Sequence, residues 1–386
     1  MSQNPFLRYA KKVDWVIWAA CLGLAFLSLV LILGLLRSEH SSSLGLRSGN
    51  LSTQAVATVI GILTALTISH IPHKIITELW KFYVPAAYLF FISSFIFGAA
   101  TAARPEARRW IIIPGINMSV QPSEILKLAF ILSFALHIYK VHHQLNRPKN
   151  LILLCIHGMI PVLLVQLQGD SGMALMFLCV FVCMMFAAGL KWRYFAAASA
   201  AAVIMIPIMW TFVLSPMQQK RILTVLNPSE LDIQGTYNQQ YYTFLAISSG
   251  RLTGNGLFGE HIYVPEMHND FIFAFLGSAF GFLGCIAVLL ILLTLSIKIL
   301  INSANAKDIR GQVICAGVFG MIFFQSAINI AMCLSFLPVI GNSLPFLSCG
   351  GSSMVTSFVG VGLVLSVYRH TQKKKKIPST FLPGGN

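Results

Sequence analysis

Charge is scarce in this chain. Only 10% of its 386 residues are charged and only 12 carry a carboxylate, whereas 56% are hydrophobic. So little charge excludes a water-soluble domain of this length. No internal repeat appears, and no low-complexity stretch beyond the lysines at 373–376. No cysteine or histidine spacing suggests zinc, and no metal-ligand pattern appears elsewhere. The segments of about ten residues with alternating polarity that a β-barrel would need are missing too.

What is present is a succession of apolar runs. A bilayer is crossed by about 20 apolar residues in a helix, and the chain consists mostly of such runs. It therefore reads as all-α, a polytopic membrane protein forming one integral domain over residues 1–386. Ten transmembrane helices are expected, near 14–36, 51–71, 82–100, 123–141, 151–168, 173–190, 194–214, 271–297, 313–335 and 352–368. The first run is too long for a signal-peptide core and lacks a small-residue cleavage site. Seven of the eight cysteines lie inside these runs, where thiols act as small buried hydrophobes rather than bridges.

The net charge of +15 would suit nucleic acid, but its distribution argues otherwise. With the N-terminus inside, the inner segments hold 18 Lys and Arg and the outer ones 8, which is the cytoplasmic bias expected of short loops. Both termini are then cytoplasmic, and the basic tail at 369–386 lies against anionic membrane lipids. The same orientation puts a large loop, 215–270, between helices 7 and 8 on the extracytoplasmic side.

Few ionisable groups lie near the membrane, and charges there tend to be paired or functional. Arg108, Arg109 and Trp110 precede Gln121-Pro122-Ser123-Glu124 and Lys127. Ser123 is a candidate N-cap for the fourth helix. Glu124 and Lys127, three apart, share a helix face. They form either a neutralised pair or part of an outer patch that binds a phosphorylated headgroup. Asp170 is a candidate cap of the sixth helix. The loop contains a glycine-rich run, 248–259, that would let backbone approach a bulky ligand. It also contains Glu266, and it closes on Asp270, which is either the cap of the eighth helix or an acid–base group. Gln325 and Asn329 form a polar stripe on helix nine. Gly350, Gly351 and Ser352 lie in an outer turn that either only reverses the chain or lines a wet cavity.

Read in order, these motifs carry a resemblance. Arg109-Trp110, Gln121-Pro122-Ser123-Glu124-x-x-Lys127, Asp170-x-Gly172, Pro265-Glu266-x-His268-x-Asp270-Phe271-Ile272-Phe273 and Leu344-Pro345-Phe346-x-Ser348-x-Gly350-Gly351-Ser352-Ser353 resemble the SEDS family (shape, elongation, division and sporulation). The resemblance extends over about residues 10 to 370. Pro338-Val339-Ile340-Gly341 is more similar to its RodA-type than its FtsW-type branch. The chain departs from the family at Gly277-Ser278-Ala279, where Gly-Glu-Glu is usual, at Tyr242-Thr243, where a Gln-Ser pair is usual, and at Cys349, where a tyrosine is usual.

The resemblance implies a peptidoglycan glycosyltransferase of the bacterial cytoplasmic membrane. It would polymerise lipid II, a polyprenyl diphosphate-linked disaccharide peptide, beside a class B penicillin-binding protein. It implies Asp270 as the essential carboxylate and Arg109, Trp110, Gln121, Glu124 and Lys127 as cavity residues. Ser123, Glu266, Gln325, Gly350, Gly351 and Ser352 complete the expected substrate-binding set. No cofactor is evident, and a divalent cation (Mg or Mn) would have no ligand motif to hold it. A lipid II flippase is the rival reading, because polytopic helices with intramembrane polar groups also suit a transporter.

Overall fold

The structure is a computed structural model, and it describes residues 13–99, 109–113, 118–226 and 238–371. Arg108, Glu230, Asp232 and the tail lysines lie outside the described residues. The helices in order are α1 (Trp15–Arg37), α2 (Ser48–His70), the short α3 (His73–Glu78), α4 (Trp80–Phe97), α5 (Pro122–Val141), α6 (Pro148–Leu167), α7 (Ser171–Ala187) and α8 (Trp192–Ile208). They continue with α9 (Pro216–Leu226), α10 (Asn238–Ser249), α11 (Ile272–Ala304), α12 (Ile309–Cys333) and α13 (Gly351–Thr371). Among the described residues, nine helices are long and apolar enough to cross a membrane. The expected sixth span is α7, a tenth apolar helix that is shorter at 17 residues.

These helices are apolar around their whole circumference, as a bilayer demands, so burial separates the bundle core from its periphery. Most of α5, α12 and α13 is buried, whereas α8 has no buried residue at all. Chain order then sorts the connections by end. One end carries the turn at Gly169-Asp170, the 214–271 segment and the 334–350 segment. It also carries a hairpin of β1 (Ile111–Ile113) and β2 (Met118–Val120), with Ile111 opposite Val120. The other end carries α3 and an ion-pair belt. There Arg310 meets Glu78 at 3.0 Å and Lys74 meets Asp308 at 2.9 Å. His73 first, and Lys74 after it, hold the Asp308 carboxyl well below the usual carboxylate range. Asp308 also caps α12, accepting from the Gly311 amide at 2.8 Å.

One sequence expectation is corrected here and others are refined. Ser123 does not cap the fourth span: Gln121 is the N-cap of α5 and Pro122 fills the first turn, which leaves Ser123 1% exposed inside the helix. The 215–270 segment is not a plain loop, since it folds into α9 and α10. Its glycine-rich run lies with its backbone against α11. At 33 residues, α11 would be about 50 Å long at 1.5 Å per residue, too long for one span. It breaks at Gly281 (φ 64°, ψ −162°).

The 250–256 turn fills the break. The Asn255 and Gly256 amides donate to the Ser278 and Ala279 carbonyls at 2.9 and 3.1 Å. In return, the Phe282 and Leu283 amides donate to the Arg251 and Leu252 carbonyls at 2.9 and 3.1 Å. Helix ends leave such groups without partners, and here one turn satisfies both new ends. A Cβ on Gly281 would come within 2.5 Å of the Gly254 nitrogen, besides sitting at a positive φ. Gly281→Ala is therefore expected to lower stability on the order of 3 kcal/mol. Thermal melting in detergent checks this; an unchanged melting point refutes it.

Candidate active site

The polar residues at the hairpin end form one connected network. At its base is an ion pair: Lys127 Nζ lies 3.1 Å from Glu124 Oε1, with the two side chains 0% and 2% exposed. Helical spacing brings them together, as two residues three apart sit one turn over the other. Each has a second partner from another helix. Lys127 Nζ donates to Gln325 Oε1 on α12 at 3.1 Å, and the Thr356 hydroxyl on α13 donates to Glu124 Oε2 at 2.7 Å. Gln325 in turn donates to the Ser343 carbonyl at 3.1 Å. Ser343 and Ser353 share a hydrogen bond at 3.0 Å. A charge pair this deep costs desolvation energy that only such added hydrogen bonds offset, and here both ions have them.

A second clamp lies beside the first. Arg109 Nη1 pairs with Asp170 Oδ1 at 3.1 Å, and its Nη2 donates to the Gly169 carbonyl at 2.8 Å. Asp170 also caps α7, accepting from the Met173 amide at 3.2 Å, as its position in the sequence suggests. Gln121 joins the two groups. Its side chain donates to Asp170 Oδ2 at 3.3 Å, and its backbone amide donates to the Ser352 hydroxyl, also at 3.3 Å. The cap that places Arg109 and Asp170 together therefore also ties them to the first turn of α13.

Asp270 meets the network at Asn329 of α12. It is half-buried, in the turn that precedes α11. It does not cap that helix: the N-cap is Phe271, with no side-chain bond. Its carbonyl accepts from Asn329 Nδ2 at 2.7 Å, and Asn329 lies one helical turn from Gln325. The turn itself is built on Glu266, which has a positive φ of 59°. The Glu266 carbonyl accepts from the Asn269 and Phe271 amides at 2.9 and 3.3 Å, and its carboxylate accepts from Asn269 Nδ2 at 2.9 Å. Burial pushes the His268 imidazole below its ordinary value, with the Glu266 carboxylate pulling the other way.

The structure joins Arg109, Gln121, Glu124, Lys127, Gln325 and Ser352 by hydrogen bonds, and connects the Asp270 backbone carbonyl to them through Asn329 and Asn342, whose side chain donates to the Gln325 carbonyl at 3.5 Å. Gly350 and Gly351 border this network; the Gly350 amide is held by Gln54 Oε1 at 3.1 Å. Three of the expected residues stand apart. Trp110 pairs its backbone with Ala99 across a β-bridge, Glu266 serves the turn, and the buried Ser123 hydroxyl meets no partner among the described residues. Sequence reasoning missed Thr356, Ser343 and Gln54, polar residues with no local pattern to mark them, and gave Ser353, although inside a quoted motif, no role. It also missed the hairpin, although Pro114-Gly115 between an isoleucine run and Met118-Ser119-Val120 is a hairpin signal.

Over this end lie the helices of the 214–271 segment. Gln218 Nε2 donates to the Ser171 hydroxyl at 2.8 Å, Arg221 Nη1 to the Val339 carbonyl at 3.2 Å, and Gln240 Nε2 to the Leu337 carbonyl at 2.7 Å. Where relatives of the resembled family carry an acid, Ser278 is sealed and shares a 2.8 Å hydrogen bond with His261 Nδ1. Among the described residues no group of three or more His, Cys, Asp or Glu is arranged to hold a metal ion.

With this geometry in place, known proteins can be set beside it. A family model described as cell cycle protein, FtsW/RodA/SpoVE, matches residues 14–373. The chain is 31% identical over 326 residues to the peptidoglycan glycosyltransferase MrdB of Escherichia coli strain K12, covering 82% of this chain and 85% of that one. It is 34% identical over 286 residues to a protein of Geobacter sulfurreducens named probable peptidoglycan glycosyltransferase FtsW, covering 71% and 73%. The solved structure of the Thermus thermophilus rod shape determining protein RodA matches with a TM-score of 0.67 at 23% identity, covering 94% of this chain and 98% of that one. A chain in a solved peptidoglycan synthase complex matches with a TM-score of 0.77 at 24% identity, covering 93% and 98%. At such identities the two structures speak for the fold.

Proposed function

The chain belongs to the FtsW/RodA/SpoVE family of cell cycle proteins, and from that membership we propose that it is a peptidoglycan glycosyltransferase that polymerises lipid II at the outer face of the bacterial cytoplasmic membrane. The observation that carries the reading is Asp270: a half-buried carboxylate in the turn before α11, at the end of the bundle where the ion-paired network gathers. The RodA-like residues 338–341 favour a role in cell elongation over division. A class B penicillin-binding protein is the transpeptidase partner that crosslinks the strands.

The reaction moves a sugar from a polyprenyl diphosphate to an acceptor hydroxyl. That hydroxyl titrates far above neutral pH and needs a positioned base. Asp270 takes its proton, from the 4-hydroxyl of the acceptor sugar. The hydroxyl oxygen forms the new glycosidic bond as the bond to the diphosphate breaks, with inversion and no covalent sugar–enzyme intermediate. The departing diphosphate develops charge that favours fixed cations. Arg109 and Arg221 are at the right end for this role, and Lys127 lies beneath them. Both Arg109 and Lys127 already have a carboxylate partner, so phosphate oxygens must compete with Asp170 and Glu124 for them. The tail of the substrate stays among lipid-facing helix surfaces.

A transporter would need polar contacts for substrate at both ends of the bundle. The candidate substrate-binding residues instead gather at the hairpin end. The full-length protein, purified in detergent with its transpeptidase partner and given labelled lipid II, is expected to make glycan strands with no membrane to cross. If no strand forms while lipid II moves across reconstituted vesicles, the flippase reading replaces this one.

A further inference from the structure

Two residues of the Leu344–Ser353 motif, Ser348 and Cys349, bind the backbone of the Asp270 turn. Three consecutive carbonyls of that turn are each held from outside. The His268 carbonyl accepts from the Cys349 amide at 2.9 Å, and the Asn269 carbonyl from the Ser348 hydroxyl at 2.7 Å. The Asp270 carbonyl accepts from Asn329 Nδ2 at 2.7 Å. On the amide side, Asn269 and Phe271 both donate back to Glu266. The backbone on both sides of the Asp270 side chain is thus fixed.

The groups that hold it are held themselves. Ser348 Oγ accepts from the Leu344 amide at 2.7 Å while donating to Asn269, so one hydroxyl locks its own turn and the neighbouring one together. Asn329 uses its amide nitrogen for both Asp270 and the Asn342 carbonyl, the latter at 2.5 Å. Gln54 and Ser28 anchor the 347–350 backbone to α2 and α1 through the Ser348 carbonyl at 3.0 Å, the Gly350 amide at 3.1 Å and the Leu347 carbonyl at 2.8 Å. Ser348 is 3% exposed and Asn329 0%. Neither presents a surface to a ligand, and both spend their hydrogen bonds on the chain that carries Asp270.

We infer that Ser348 and Asn329 are positioning residues for the transfer step, setting where the Asp270 carboxylate points without touching substrate. This rests on the reading of Asp270 as the base. A misplacement of about 1 Å at a reacting group can cost roughly 100-fold in rate, and the loss of either tie frees one side of the turn.

The test uses the full-length protein with its transpeptidase partner and labelled lipid II. It compares Ser348→Ala, Ser348→Thr, Asn329→Asp and Asp270→Asn, following kcat, KM and thermal melting for each. Ser348→Ala is expected to lower kcat on the order of 10- to 100-fold, with KM for lipid II within about twofold of wild type. Ser348→Thr, which keeps the hydroxyl, is expected to recover most of the rate. Asn329→Asp, of the same shape but without N–H donors, is expected to lose at least as much as Ser348→Ala. If Asp270→Asn is inactive while Ser348→Ala and Asn329→Asp turn over at the wild-type kcat, the positioning role alone falls. If Ser348→Thr is no better than Ser348→Ala and both losses follow the melting curves, the hydroxyl is merely structural and the inference is overturned. If Asp270→Asn keeps full activity, the base assignment falls and this inference with it.

Discussion

Asp270→Asn is expected to stop strand synthesis, with a loss on the order of 10²- to 10⁴-fold, the range general-base catalysis usually contributes. The substitution keeps the shape of the side chain and removes only its basicity. The fold should tolerate it. The helix that follows starts at Ile272 with Phe271 as its N-cap, and Asn329 grips the Asp270 backbone carbonyl. Binding of lipid II is expected to survive, so the loss should fall on kcat. Polymerisation at the wild-type rate would refute the role given to this residue, and loss of binding with kcat intact would reassign it to substrate recognition.

The second large effect concerns Glu124 and Lys127. Removing one partner of a buried pair leaves the other charge stranded, which typically costs 3–5 kcal/mol. Lys127→Met would strand Glu124, leaving it the Thr356 hydroxyl as partner. Glu124→Gln would leave Lys127 against two amide oxygens. Each single variant is expected to lose about 3–5 kcal/mol of stability. The double variant should regain most of it, because no lone charge remains buried. Its activity separates two roles for the pair. If the ions only brace α5 against α12 and α13, the double variant polymerises. If Lys127 must release Glu124 to meet a phosphate, the double variant folds and stays inactive. Melting curves and strand assays on the same preparations read both. Two singles as stable as wild type would show that the pair is not sealed as described.

The membrane helices were legible because bilayer thickness dictates their length. The run at 14–36 became Trp15–Arg37, and most other spans moved by only a few residues. The Glu124–Lys127 pair was also legible, since its partners are three residues apart. Its other partners were not: Thr356 and Gln325 come from distant helices, and a polar residue inside an apolar run carries no mark of what it faces. The Ser123 cap was misread although the signal was present. Proline favours the first helical position, so Pro122 points to Gln121 as the cap. The break at Gly281 was invisible for another reason. Residues 271–297 are apolar throughout, so hydropathy does not change where the backbone does.

That break has a practical consequence. Residues 250–256 serve as a spare turn of α11, so they lack the tolerance for insertion that surface loops usually show. An epitope or fluorescent tag spliced between Arg251 and Gly256 would uncap both halves of the helix at once and unseat the segment that leads up to Asp270.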